Sequence, residues 1–242
     1  MARAPPLIML LPGLDGTGDL FAPLLAELPR AFEASVVRYP ADRPLGYEEL
    51  ASLVEGQLPA RRPFVLLGES FSGPIALRVA AKAPLGLAAV VLAASFHRRP
   101  VAPWLAALRP MTRAIFSRPP PELVVRHLLA GPNAPADLVA KVRAAVARVR
   151  PEILSARVRA ALDVDASGAL AACRVPLLYL GGTEDRLLRR GIPSEVRAIL
   201  PSAEVRLLEA PHLVLQRRPG EAAAALGDFL KTSVARPAGS SG

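Results

Sequence analysis

The stretch LLGESFSG, Leu66 to Gly73, closes an apolar run that begins at Phe64 and opens a helical one that runs to Ala83. Read as strand, sharp turn and helix, it places Ser70 at the carboxyl end of a buried strand. A serine forced onto such a turn exposes its hydroxyl and aims the following N–H groups at one point. Small neighbours are required, because strand and helix approach closely there. Gly68 supplies one; on the other side position 72 is Ser and the glycine comes at Gly73. Ser72 is small enough to pack, yet the displaced glycine leaves an ordinary Gly/Ser loop or helix-capping serine as the competing reading of the stretch alone.

The rest of the chain repeats the same rhythm. LIMLLPG (Leu7 to Gly13), ASVVRYP, PFVLLGE and GLAAVVLAAS read as strands, with helices predicted over DLFAPLLAEL, YEELASLVEGQL and FSGPIALRVAAKA between them. Continuous apolar strands alternating with helices mean a mostly parallel sheet buried on both faces. From Pro103 to about Leu162 no strand is predicted. Four proline-punctuated helical segments appear instead: WLAALRPMTRAIF, PELVVRHLLA, PADLVAKVRAAVARV and PEILSARVRAAL, three of them with Pro at the expected first helical position. The alternation then resumes with strands VPLLYLGG and AEVRLLEA and helices GIPSEVRAIL and PGEAAAALGDFL. The expectation is an α/β core of about six strands formed by residues 1–95 and 166–234, a helical cap over 96–165, and a flexible tail over 235–242.

Composition narrows the class. With 242 residues and 52% hydrophobic content the chain is long and apolar enough for one sizeable core. The single cysteine, Cys173, rules out an intrachain disulfide, and no Cys/His cluster has metal-ligand spacing, so no metal or cofactor is expected. The apolar start is too short for a signal segment, and the longest uncharged window, Ala83 to Phe96, is too short for a membrane span. A soluble cytoplasmic protein with no membrane insertion is the expectation. The net charge of +9 is concentrated between Phe96 and Leu162, where twelve basic residues face three acidic ones; the remainder carries eighteen of each. Those arginines are spread over several helices without interleaved aromatics, which argues against nucleic acid.

A serine needs a base, and the base needs an orienting acid. Of three histidines, His127 falls in a cap helix and His97 lies beside Arg98 and Arg99, whereas His212 follows the last predicted strand. Asp185 follows the strand VPLLYLGG; Glu184 is its neighbour and competitor, and Asp163 and Asp165 sit at the cap exit. Ser70, Asp185 and His212 thus all lie at strand carboxyl ends, where open parallel sheets bind ligands. The N–H of Phe71 and that of Leu14, in the loop PGLDGTG after the first strand, are the candidate oxyanion donors.

LPGLDG, GESFSG, GTEDRLL and APHLVLQ, in this order and spacing, resemble the α/β-hydrolase superfamily over nearly the full length. The resemblance implies Ser70 as nucleophile, His212 as base, Asp185 as acid, and Leu14 and Phe71 as oxyanion donors. It departs in having Pro12 where the family usually has His, and in lacking the usual initial antiparallel strand pair. The implied activity is hydrolysis of a carboxylic ester or thioester. Trp104, Leu105, Leu108, Ile115 and Phe116 are candidates to line an acyl pocket, or else to pack cap on core. The basic cap is similar to that of small esterases and thioesterases acting on acyl carrier proteins, whose acidic surface it would steer. A hydrolase scaffold used only for binding is the non-enzymatic alternative.

Overall fold

The computed structural model describes residues 5–101 and 111–234. Its centre is a six-stranded, wholly parallel sheet in the order β2-β1-β3-β4-β5-β6. The strands are β1 Leu7–Leu11, β2 Ala34–Val36, β3 Phe64–Glu69, β4 Leu87–Ala93, β5 Leu177–Gly182 and β6 Glu204–Leu208. All six predicted strands are present. β2 is shorter than its sequence run, three residues at an edge of the sheet.

Side chains alternate across each strand, so a run without polar residues must find apolar cover on both faces. Met9, Leu11, Phe64, Leu66, Val90, Leu92, Leu177 and Tyr179 pack on one face against α2 (Tyr47–Glu55), α3 (Gly73–Ala81) and, further along, Ile192 and Val196. Ile8, Leu10, Val65, Leu67, Val91, Leu178 and Leu180 pack on the other, with Phe21, Leu24, Val214, Leu226 and Phe229. Each fully buried Leu or Phe contributes about 1.5–3 kcal/mol of transfer free energy. The second face is covered by α1 (Ala22–Glu27) and the C-terminal helices described below.

Between β4 and β5 no described residue joins the sheet, and the regular elements there are helices. α4 (Thr112–Ile115) covers the part of the first predicted cap helix that is described. A turn at Glu122–Val124 runs into a π-helical stretch, Val125–Ala130, within the second. α5 (Ala136–Ala147) and α6 (Pro151–Asp163) follow. Of the three prolines expected to open these helices, Pro151 alone occupies a first helical position. Pro121 and Pro135 stand one position earlier, as the residues before their helices, with φ fixed by the ring and ψ extended. α7 (Ser167–Ala171), α8 (Ile192–Ile199), α9 (Val214–Arg217) and α10 (Pro219–Val234) complete the chain. α7 and α9, of five and four residues, escape the sequence reading because they are too short to show a helical period.

The two stems of the insert are fastened together at its base. Arg98 and Asp165 form an isolated antiparallel bridge, and Ala166 N–H donates to the His97 carbonyl at 2.7 Å. Arg189 and Arg98 both hold Glu195 of α8, and Arg189 also donates to the Arg99 carbonyl. Among the described residues no helix is long and apolar enough to cross a membrane.

Candidate active site

The chain runs from β1 to β2 on one side and then to β3 on the other, so the sheet switches direction between β1 and β3. Ligand crevices form at such points, outside the carboxyl ends of the strands. Leu11 pairs with Gly68, so the loops after β1 and β3 leave the sheet side by side.

Ser70 is the first residue after β3 and adopts φ +47°, a left-handed conformation costing about 1–3 kcal/mol for a residue with a Cβ. The surroundings hold it there. Ser95, past the end of β4, donates its hydroxyl to the Ser70 carbonyl, and the Tyr179 hydroxyl donates to the Ser95 carbonyl at 3.1 Å. Gly68 and Gly73 are both required by close approach. A Cβ on Gly68 would stand 2.7 Å from the Ser72 carbonyl oxygen, and one on Gly73 would overlap Ser95 Oγ. The glycine at 73 is therefore where helix α3 meets the β4 loop. Ser72 has a role beyond small size: its hydroxyl donates to the Pro12 carbonyl and lies 2.6 Å from the Tyr39 hydroxyl.

His212 and Asp185 reach Ser70 from the far strands. Asp185 lies in the turn after β5, where its Oδ1 accepts the N–H groups of Leu187 (2.8 Å) and Leu188 (2.9 Å). Its Oδ2 accepts from His212 Nδ1 at 2.8 Å, which leaves Nε2, 2.9 Å from Ser70 Oγ, as acceptor of the serine hydroxyl. The two loops close on one another because Glu184 N–H donates to the Ala210 carbonyl and Gly182 has no Cβ to strike it. Glu184 is exposed, and the carboxylate that holds His212 is that of Asp185. His97 is buried and 3.7 Å from Glu195, and His127 has its Nδ1 3.3 Å from Arg186. Neither hydrogen-bonds to Ser70. Asp165 receives the Ser167 N–H at the insert's base.

Burial pushes the His212 imidazolium down in pKa, but the charge and hydrogen bond of Asp185, with the charge of Glu69, outweigh it and the net shift is upward. Burial pushes Asp185 up, and His212 together with the Leu188 and Leu187 N–H groups brings it below the usual carboxylate range. Glu69, next to the serine and 6% exposed, is raised to about 7, chiefly by burial and despite the hydrogen bond from Gln216 Nε2 at 2.8 Å.

In the loop after β1, Gly16 N–H donates to the Gly13 carbonyl at 3.0 Å. Because the peptide that joins Gly13 and Leu14 is planar and trans, the Leu14 N–H lies in its plane and points the opposite way from the Gly13 carbonyl. No acceptor among the described residues takes it. Phe71 anchors the turn by stacking on Tyr47, ring centroids 4.8 Å apart, while its N–H follows Ser70. Of the pocket candidates, Trp104, Leu105 and Leu108 lie outside the described residues. Ile115 is half exposed, and Phe116 packs with Leu14 on Val149, Ile153 and Leu154.

Residues that the sequence reading did not single out also converge here: Tyr39, Glu69, Gln216 and Arg157. Arg157 left a signal, since it falls on the stripe Ile153, Leu154, Arg157, Ala161 that α6 turns inward.

The model of the Alpha/beta hydrolase family matches residues 8–226. The chain is 37% identical over 112 residues to phytyl ester synthase 1, chloroplastic, from Arabidopsis thaliana, a match covering 43% of this chain and 16% of that protein. It is similar in fold to the enol-lactonase from Burkholderia xenovorans LB400, with a TM-score of 0.77, 20% identity, and coverage of 94% and 92% of the two chains. It is also similar in fold to a structure reported with the carboxylesterases of Nitrososphaera gargenis, with a TM-score of 0.75, 17% identity, and coverage of 95% and 91%. With residues 8–226 matched and the sheet, switch point and serine turn in place, this chain belongs to the alpha/beta hydrolase family.

Proposed function

We propose that the protein is a serine hydrolase that cleaves a carboxylic ester or thioester through an acyl-enzyme. The observation that carries this reading is the unbroken relay from Ser70 Oγ to His212 (2.9 Å) to Asp185 (2.8 Å), built on a serine at φ +47°. His212 takes the Ser70 proton on Nε2 as Oγ attacks the carbonyl carbon. The resulting oxyanion is received by the N–H groups of Leu14 and Phe71. Collapse of the tetrahedral species breaks the bond to the leaving group, and His212 returns its proton to the departing alkoxide or thiolate. Water, deprotonated by His212, then attacks the acyl carbon; the bond to Ser70 Oγ breaks, His212 returns the proton to Oγ, and the carboxylic acid leaves. Names among the relatives, a phytyl ester synthase, an enol-lactonase and carboxylesterases, support ester chemistry as the class. Fluorophosphonate labelling is the test: the wild type should label and Ser70→Ala should not, and equal labelling of both would refute the assignment.

The insert supports a narrower reading, in which an acidic acyl carrier protein presents the ester. Arg113, Arg118, Arg143 and Arg150 are exposed on it without an acidic partner among the described residues. Arg98, Arg126, Lys141 and Arg148 are already paired, so the field is smaller than the count of arginines implies. Electrostatic recruitment of this kind weakens with salt. A kcat/KM toward a carrier-bound ester that stays constant from low to physiological salt would exclude it.

A further inference from the structure

Among the insert's side chains that meet the loop after β1, one is a buried cation. Arg157, on α6, is 1% exposed, and its hydrogen-bond acceptors are three backbone carbonyls of the core rather than carboxylates. Nη1 donates to the carbonyls of Leu14 (2.9 Å) and Asp15 (3.0 Å), and Nη2 to that of Pro40 (2.9 Å). Its Nε finds no acceptor among the described residues. The guanidinium lies 5.7 Å from the centroid of the Tyr39 ring. A buried cation is costly where a leucine would fill the space, so packing alone does not account for it.

The carbonyls it holds are those that orient the loop after β1. Ser72 donates to the Pro12 carbonyl, and since its hydrogen is used there, the Tyr39 hydroxyl donates to Ser72 at 2.6 Å. Gly16 N–H holds the Gly13 carbonyl, and Arg157 holds that of Leu14. Three successive carbonyls, at 12, 13 and 14, are thus fixed, and with them the peptide plane that carries the Leu14 N–H. Gly16 adopts φ +70°, and a Cβ on it would stand 2.6 Å from Arg157 Nη1, so the loop is moulded around the guanidinium. Only the fork of an arginine matches several carbonyls at once; a lysine offers a point charge.

We propose that Arg157 is the positioning residue of the oxyanion loop, so that the helical insert sets the geometry of catalysis and does not merely cover the site. This rests on the serine-hydrolase reading, with Leu14 as an oxyanion donor. A misplaced donor harms the transition state more than the ground state, so the loss should fall on kcat.

The test uses the full chain with p-nitrophenyl acetate as substrate and phenylboronic acid as a tetrahedral-adduct inhibitor. Arg157→Met should lower kcat by about 10–100-fold, less than the roughly 10²–10³-fold cost of deleting an oxyanion donor outright. KM should stay within about twofold, and the boronic acid should bind weaker by roughly the same factor as kcat falls. Arg157→Lys should keep part of the loss. Ser72→Ala, which frees the Pro12 carbonyl without burying a lone charge, should lower kcat by about 3–10-fold with the same signature. Should Arg157→Met fail to fold, Arg157→Lys and Ser72→Ala decide the matter. Unchanged kcat and boronic acid affinity in the folded variants would overturn the proposal, as would a loss confined to KM. Ser70→Ala separates the two claims. If it hydrolyses the ester like the wild type, the serine-hydrolase reading fails, whereas an inactive Ser70→Ala beside a fully active Arg157 variant refutes the positioning role alone.

Discussion

Gly73 and Ser95 are packed so closely that a methyl on Gly73 would overlap Ser95 Oγ and stand 2.9 Å from its Cβ. The same Ser95 hydroxyl donates to the carbonyl of Ser70, so the contact that brings helix α3 onto the sheet also holds the strained serine turn.

Gly73→Ala should therefore destabilise the fold by about 1–3 kcal/mol through overpacking and displace the turn. Thermal unfolding and ester hydrolysis, measured on the same preparation, should both fall. Ser95→Gly in the Gly73→Ala background should recover stability by relieving the clash, but less activity, because the donor to the Ser70 carbonyl is gone. If Gly73→Ala unfolded at the wild-type temperature, the close approach would be refuted.

Asp185 raises the pKa of His212 and selects the tautomer that leaves Nε2 free to accept from Ser70. In the proposed mechanism His212 works as base only when unprotonated, so the acid limb of kcat/KM should lie above the ordinary histidine value. Asp185→Asn should move that limb to lower pH and reduce kcat by about 10³–10⁴-fold. A pH–rate profile of both proteins checks the direction; a limb that stayed in place would show that Asp185 does not set it.

Glu69 holds its proton up to about pH 7 in the folded chain, chiefly because it is buried. A carboxyl whose pKa is raised by folding stabilises least when ionised. Its contribution is fully present below about pH 4.5 and is lost as pH rises towards 7, by up to about 3 kcal/mol. Glu69→Gln should abolish that loss. Its urea midpoint should match the wild type near pH 4.5 and exceed it at about pH 8, and a gain independent of pH would contradict the assignment.

Glu195 behaves in the opposite sense. Hydrogen bonds from Arg189 and Arg98 bring its pKa down to about 2, so its contribution is present above about 4.5 and lost as pH falls towards 2. Because the cluster fastens both stems of the insert to α8, Glu195→Gln should cost about 1 kcal/mol at pH 7 and flatten the acid limb of stability. Chemical denaturation at about pH 3 and pH 7 reads both effects.

The strands, their parallel arrangement and the helical segments between β4 and β5 were legible in the sequence because each rests on local evidence. Uninterrupted apolar runs such as Phe64 to Leu67 cannot be solvated on either face, and this one is followed at once by small residues and a helix. That Ser70, Asp185 and His212 stand at strand ends was legible for the same reason, since the carboxyl ends of parallel strands share one side of the sheet. Tertiary packing decided what no local pattern contains. It brought Ser72 onto the Pro12 carbonyl, 60 positions away in the chain, and Arg157 onto the Leu14 carbonyl, 143 positions away. It also turned Glu69 into a buried carboxyl whose charge is felt by His212. Periodicity says which face of a strand or helix turns inward. Only the folded chain says whose carbonyl waits there, because hydrogen bonds between distant segments depend on three-dimensional register and not on the composition of either segment.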